Sequence, residues 1–245
     1  MNPTIELLNS HRSIRKYKSQ PLPPGALESF IKAGQAASSS NHVQACSVIR
    51  VQDPSKRAQL AHLAGDQAYI EQAAEFLVFC ADMKRNTEAA ASTGIEPTLG
   101  MTEQLIVATV DVALFAQNVA IAAESEALGI VYIGGIRNNP SAISELLNLP
   151  EQVYPVFGMC IGYPDHQPEV KPRLPLEAVL MQDSYQEHEQ AEQVAYYDQQ
   201  MSEYYQARTG GNKTSNWSQS MAPMFGGKLR PHMRDFLIAQ GFTMK

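Results

Sequence analysis

Along the chain, stretches whose apolar residues recur every three or four positions alternate with short runs that are apolar throughout, and this rhythm predicts helices interleaved with buried strands. Asn2 or Thr4 can cap an opening helix carrying Ile5 and Leu8, and Pro23-Pro24 introduces a second with Leu27, Phe30, Ile31 and Gly34 at helical spacing. Residues 46–51 read as a strand, and Asp53-Pro54 starts another helix. Residues 75–81, Glu-Phe-Leu-Val-Phe-Cys-Ala, form an apolar run of strand length that needs cover on both faces. Residues 82–100 are polar, small and aperiodic, the pattern of a mobile excursion or lid. From 102 to 128 the positions Ile106, Val110, Ala113, Leu114, Gln117, Ile121, Glu124 and Leu128 step by three or four toward a stop at Gly129, which predicts one long helix. So apolar a helix needs partners on several sides, in the core and at a subunit interface. Two more strands are expected at 130–133 and 156–161, with Asn139-Pro140 opening a short helix between them.

Beyond Pro175 the pattern changes. Residues 186–208 are rich in Gln, Glu and Tyr and read as a helix, 209–216 as a linker bearing Gly and Asn, and a terminal helix starts at about Pro231. This tail has too few apolar residues for a core of its own, so the expected organisation is a body at 1–185 and an extension at 186–245 wrapping the body or a partner subunit.

Composition narrows the classes. A formal net charge of -6 over 245 residues argues against a nucleic-acid binder, whose phosphate-contacting surface makes a domain basic. Cys46, Cys80 and Cys160 lie far apart in apolar runs, without zinc or dithiol spacing, so three buried thiols and no metal are expected. The first residues lack a basic-then-apolar signal, and no run of about 18 uninterrupted apolar residues suggests a membrane span. The expectation is a cytoplasmic protein.

Candidate chemistry sits in a few short segments. His11-Arg12-Ser13-Ile14-Arg15-Lys16-Tyr17 crowds guanidiniums, an imidazole and a hydroxyl just past the first helix, and Arg offers a planar fork matched to phosphate oxygens. Taken alone such a segment also reads as a solvated basic loop. A second cluster, Lys171-Pro172-Arg173-Leu174-Pro175, presents two more cations on a stiff loop. Ile133-Gly134-Gly135, followed by Ile136, Arg137 and Asn138, ends a strand in paired glycines that let backbone approach a flat ring, or simply make a turn. Ser38-Ser39-Ser40-Asn41 offers hydroxyls and amides, and would serve equally as a helix end. Neither the glycine fingerprint of a dinucleotide fold nor a phosphate-binding loop of the nucleotide hydrolases occurs.

Taken in order, T-I-E-L-L-x-x-H-R-S-I-R, A-x-S-S-S with Gln44, Gln67-Ala68-Tyr69, A-A-E-S-x-x-L-G-I-x-Y-I-G-G-I-R-N-N and K-P-R-L-P resemble the NADPH-linked oxygen-insensitive nitroreductases and flavin reductases P. The resemblance covers nearly the whole chain. It implies an α+β nitroreductase fold with a mainly antiparallel central sheet flanked by helices, in an intertwined homodimer with two FMN sites at the interface. It further implies that His11, Arg12, Ser13 and Arg15 lie near the FMN phosphate and ribityl chain, with Lys171 and Arg173 approaching phosphate and ring. Ser39 and Ser40 would come from the partner subunit, Gln67 and Tyr69 would flank the ring, Ile133, Gly134 and Gly135 would lie against it, and Asn138 nearby. No side chain is then needed as nucleophile or base. The implied activity is NADPH-dependent reduction of nitroaromatics, quinones or free flavins in alternating half-reactions. Residues 206–245 carry six cations, among them Arg208, Lys213 and Arg230, against the single acid Asp235. The resemblance sets Arg208 and Lys213 on the 2′-phosphate of NADPH and Arg230 at the mouth of the site. A flavin-storing or flavin-sensing protein would keep the same pocket without turnover, whereas a flavin-free nicotinamide dehydrogenase would require the missing glycine fingerprint.

Overall fold

A computed structural model describes residues 2–212, 214–227 and 229–245. By contact, the chain divides into one unit of residues 1–168 and 232–245 and another of residues 169–231.

The first unit is built on a four-stranded sheet, β1 (Cys46–Arg50), β2 (Glu75–Asp82), β3 (Gly129–Ile133) and β4 (Val153–Gly162), in the order β1-β2-β4-β3 and antiparallel throughout. Every residue of β2 is buried. Its side chains alternate between two cores: Leu77, Phe79 and Ala81 face one, Phe76, Val78 and Cys80 the other. Helices α2 (Ala26–Gln35) and α6 (Thr102–Ser125) cover the first face with Leu27, Phe30, Val112, Ala116 and Val119. The second face is covered by α3 (Pro54–Leu63), α4 (Tyr69–Gln72) and α7 (Pro140–Leu146) through Leu60, Ile70 and Ile143. The opening helix α1 (Pro3–Asn9) is capped by the Asn2 side chain, and α3 by Asp53.

Four expectations for this unit are corrected. Residues 82–100 are not aperiodic throughout: Asp82 ends β2, and α5 (Lys84–Ala91) follows, held by Asn86 Nδ2 donating to the Val43 carbonyl and Thr87 Oγ1 to Gln152 Oε1. Helix α6 buries a different stripe from the one expected. Its inward face is Ala108, Asp111, Val112, Ala116, Val119, Ala120 and Ala123, small enough for close approach to the sheet, while Ile106, Val110 and Leu114 point outward. Gly129 is not the helix stop: α6 ends at Ser125, Ala127 takes φ 59°, and Gly129 opens β3. Lastly, Cys80 and Cys160 are buried but Cys46 is only half-buried. By length and composition alone α6 would suffice to cross a membrane; here it forms the core against β2.

In the second unit, α8 (Gln190–Thr209) and α9 (Trp217–Phe225) enclose a small aromatic core of Tyr197, Met201 and Tyr205 with Leu174, Tyr204 and Trp217 packed on it. Helix α9 has no counterpart among the expected elements, and this small core, built mostly from tyrosines rather than aliphatic residues, corrects the expectation that the tail has none of its own. Helix α10 (Met233–Ala239) belongs to the first unit, where Phe236 and Phe242 enter the α6 core, Gln152 N donates to the Gln240 carbonyl and Lys245 N to that of Gly100.

Gly129 is needed for packing: a Cβ there would meet Ile14 Cγ1 at 2.4 Å and Ile14 Cβ at 2.7 Å. Gly129→Ala should lower the unfolding free energy by roughly 1–3 kcal/mol in urea titration, the usual cost of overpacking a core. Adding Ile14→Ala should recover part of that loss, because the two lesions share one contact.

Candidate functional site

The segment after α1 is pinned by its apolar residues. Ile14 N donates to the Ile130 carbonyl of β3 at 2.9 Å, and Tyr17, buried beneath it, donates its hydroxyl to the Ile14 carbonyl at 2.8 Å. Lys18 N donates to the Tyr163 carbonyl and Asp165 N to that of Lys16, tying the segment to the chain just past β4. Burial pushes the Tyr17 phenol well above its ordinary range, with Arg15 opposing and Cys160 and Tyr69 adding to the shift, so this hydroxyl stays protonated.

Between the anchors the polar side chains differ in their commitments. His11 Nδ1 lies 2.6 Å from Glu124 Oε1, and Arg12 donates to the carbonyls of Ser10 and Pro168. Ser13 and Arg15 make no side-chain hydrogen bond among the described residues. Among the described residues, this hydroxyl and guanidinium keep their hydrogen-bonding capacity, and both could serve an anionic ligand.

At the far end of β3 the chain turns through Gly134 and Gly135. A Cβ on Gly135 would meet the Ala64 carbonyl oxygen at 2.2 Å and Gln67 Nε2 at 2.4 Å, so the turn lies flush against the α3–α4 connection. A Cβ on Gly134 would meet only Arg137 Nη2, at 3.5 Å; the backbone there is open on one side. Gln67 donates to the Ala64 carbonyl at 2.6 Å and accepts from the Tyr69 hydroxyl at 2.5 Å, while Asn138 Nδ2 donates to the same Ala64 carbonyl at 3.2 Å. Gln67, Tyr69, Ile133, Gly134, Gly135 and Asn138 are thus brought together, with Arg15 sharing the surroundings of Tyr17 with Tyr69.

Ser39 and Ser40 are elsewhere. Ser39 gives its hydroxyl proton to Asp111 Oδ2 at 2.7 Å and accepts from Gln44 N, beside β1 at the opposite edge of the sheet. In the second unit, the Lys171 ammonium lies 5.6 Å from the centroid of Tyr205, and the Arg208 guanidinium 6.0 Å from the same ring and 5.7 Å from Tyr204. Arg173 is exposed close to Tyr197, whose hydroxyl donates to the Pro172 carbonyl, and Arg230 is half-buried. Lys213 lies outside the described residues. A cleft of about 580 Å3 is lined by Arg12, Lys18, Glu124 and His166 but by none of the residues around Gly134. Reading the sequence for motifs did not reveal Glu124 and Asp111 as partners of His11 and Ser39. The signal was present, since each is an acid inside an otherwise apolar helix.

Two family models match, the nitroreductase family over residues 8–163 and the nitroreductase family C-terminal domain over residues 171–245. The chain belongs to the nitroreductase family. It is similar, at 45% identity over the full length of both chains, to the NADPH-flavin oxidoreductase of Vibrio harveyi. It is 42% identical, again over both full lengths, to the oxygen-insensitive NADPH nitroreductase of Salmonella typhimurium. Among solved structures it resembles the NADPH:FMN oxidoreductase from Vibrio harveyi complexed with NAD+, with a TM-score of 0.89 and 44% identity over 98% of each chain. The antiparallel sheet with its helical layers is the nitroreductase fold.

No thiol in this nitroreductase is disposed to act as a nucleophile. Burial pushes Cys46 up to about 12, with Arg85 opposing and Asp111 and Asp82 adding, and burial raises Cys80 and Cys160 further. At pH 8 the thiolate fraction of Cys46 is then roughly one in ten thousand, so iodoacetamide should alkylate the native protein about a thousandfold more slowly than the protein in urea, as read by mass spectrometry. Fast native labelling of Cys46 would show that its surroundings are more open than this packing.

Proposed function

We propose that the protein is an FMN-dependent oxidoreductase that takes electrons from NADPH and reduces small flat acceptors such as nitroaromatics, quinones or free flavins, working as a homodimer in the cytoplasm. The observation that carries the reading is the pairing of an open glycine turn, backed by Gln67 and Tyr69, with the donors Ser13 and Arg15, whose side chains make no hydrogen bond among the described residues. The first suits a flat ring and the second a phosphate, the two chemically distinct ends of FMN. The names of the relatives, an NADPH-flavin oxidoreductase and an NADPH nitroreductase, support the same donor and cofactor. Bound FMN supplies the hydride chemistry that no side chain of the site offers.

The side chains hold and orient. Ser13 and Arg15, with His11 and Arg12 behind them, suit the phosphate, and the Ile133-Gly134-Gly135 backbone suits the ring. Gln67, fixed at both ends of its amide, and Asn138 keep the turn in place. On family resemblance and chemistry alone, Lys171 and Arg173 are assigned to the flavin, and Arg208, Lys213 and Arg230 to NADPH. Arg208 is exposed and steadied by the hydroxyl of Tyr204, which suits a cation awaiting a phosphate. The exposed stripe Ile106, Val110 and Leu114 on α6, at 51%, 49% and 43% exposure, supports the dimer, since a twofold pairing buries the same stripe of both chains. Three cysteines without a disulfide fit a reducing compartment.

The purified protein should be yellow, bleach on anaerobic addition of NADPH and recolour with a quinone; a yellow protein that NADPH leaves unchanged would be the flavin-storing alternative. Sedimentation should give twice 27.0 kDa. Arg208→Ala should raise KM for NADPH roughly tenfold or more, as loss of one charged phosphate contact requires, with NADH kinetics and flavin content nearly unchanged. Equal loss with both nicotinamides in steady-state assays would make Arg208 structural.

A further inference from the structure

Asp111 is an unusual residue for its place. It sits on the buried face of α6 at 4% exposure, and no lysine or arginine forms an ion pair with it among the described residues. Its carboxylate instead accepts from Ser39 Oγ at 2.7 Å, Ala45 N at 3.0 Å and Ser40 N at 3.3 Å. A buried carboxyl group without an ion-pair partner is costly to keep, and it persists where its hydrogen bonds fix something the protein needs.

What these bonds fix is the 39–45 loop. Asn41, His42 and Gln44 take φ of 46°, 59° and 53°, a region that few non-glycine residues adopt. The loop is closed on itself by Gln44 N donating to Ser39 Oγ and Val43 N to the Ser40 carbonyl, and it is braced from α5 by Asn86 and Arg85. Ser40, Asn41 and His42 are left exposed. The result is a polar tip whose backbone shape is held by hydrogen bonds at both of its ends.

The tip does not serve the glycine turn of its own chain. It precedes β1 while the turn follows β3, and these are the two edges of the sheet, three strand spacings or about 14 Å apart. It is also on the other face: Ala45 packs into the core under α6, whereas Ala64 and Ile136, beside the turn, pack into the core under α3. What the tip does adjoin is the exposed α6 stripe, since Val110 precedes Asp111 and Leu114 follows one turn later. From this we infer that Asp111 is a positioning residue for the flavin site of the second copy: it holds the 39–45 loop in the shape that completes that site across the dimer. The inference rests on the proposed function.

The test uses the full chain and FMN itself. Homodimers of Asp111→Asn, and of Ser39→Ala as a variant that leaves the core intact, should bind FMN about tenfold more weakly or worse in equilibrium dialysis, while remaining dimers in sedimentation. The decisive sample is a mixed dimer of an Asp111→Asn chain with an Arg12→Ala/Arg15→Ala chain. Acting across the interface, the two lesions fall in one site and leave the other complete, so the mixed dimer should hold one FMN per two chains with wild-type affinity, although neither homodimer does. A mixed dimer without a tight site would place the loop's action within its own chain and overturn the inference, as would wild-type affinity in both Asp111→Asn and Ser39→Ala. Wild-type protein that takes up no FMN at all would instead remove the proposed function on which the inference stands.

Discussion

Strand β2 is buried along its whole length, and most of the first unit follows from the need to cover both of its faces. Alternate side chains create two separate cores, so one layer of helices cannot suffice. The α6 side is met by a helix whose inward residues are mostly alanine and valine, which brings its axis close to the sheet and pushes its larger residues, Ile106, Val110 and Leu114, to the outside. The same close packing buries Asp111, the one acid on that inward stripe, and so commits it to the loop before β1. A requirement of the core thus sets the outward apolar face and the brace beneath the Ser39 loop together.

On the other side of the sheet the dependence runs through β3. Ile14 packs where Gly129 leaves no Cβ, and that contact sets the frame from which Ser13 and Arg15 project. Five residues on, the same strand delivers Gly134 and Gly135 to the α3–α4 connection. One short strand therefore carries both ends of the candidate site, the local basic segment at its start and the glycine pair past its end.

Much of this was legible in the sequence because it depends on local patterns. The apolar run 75–81, the caps Asn2 and Asp53 and the paired glycines each signal their structure within a few residues. What was not legible depends on which neighbour arrives. The outer stripe of α6 has the same three-and-four spacing as the inner one, and only the closeness of the sheet selects alanines for the inside. Gly129 reads as a helix stop by position, yet its reason is Ile14, 115 residues earlier in the chain. The Asp111 and Glu124 contacts lie 66 to 113 residues from their partners, beyond any motif. Helix α5 was hidden by small and polar residues that take their order from contacts with Val43 and Gln152.

The return of residues 232–245 to the first unit changes what the far end of the chain is. The second unit is an insertion bounded by Pro168 and His232, and the segment beyond it contributes Phe236 and Phe242 to the α6 core and pairs with Gln152 and Gly100. Shortening the chain from its C-terminus therefore removes core before it removes the insertion. An engineer wishing to exchange the cation-bearing segment for that of a relative has two splice points to respect, and a protease that cuts the insertion once leaves a fragment still clasped by the body, visible on a denaturing gel but not in a native one.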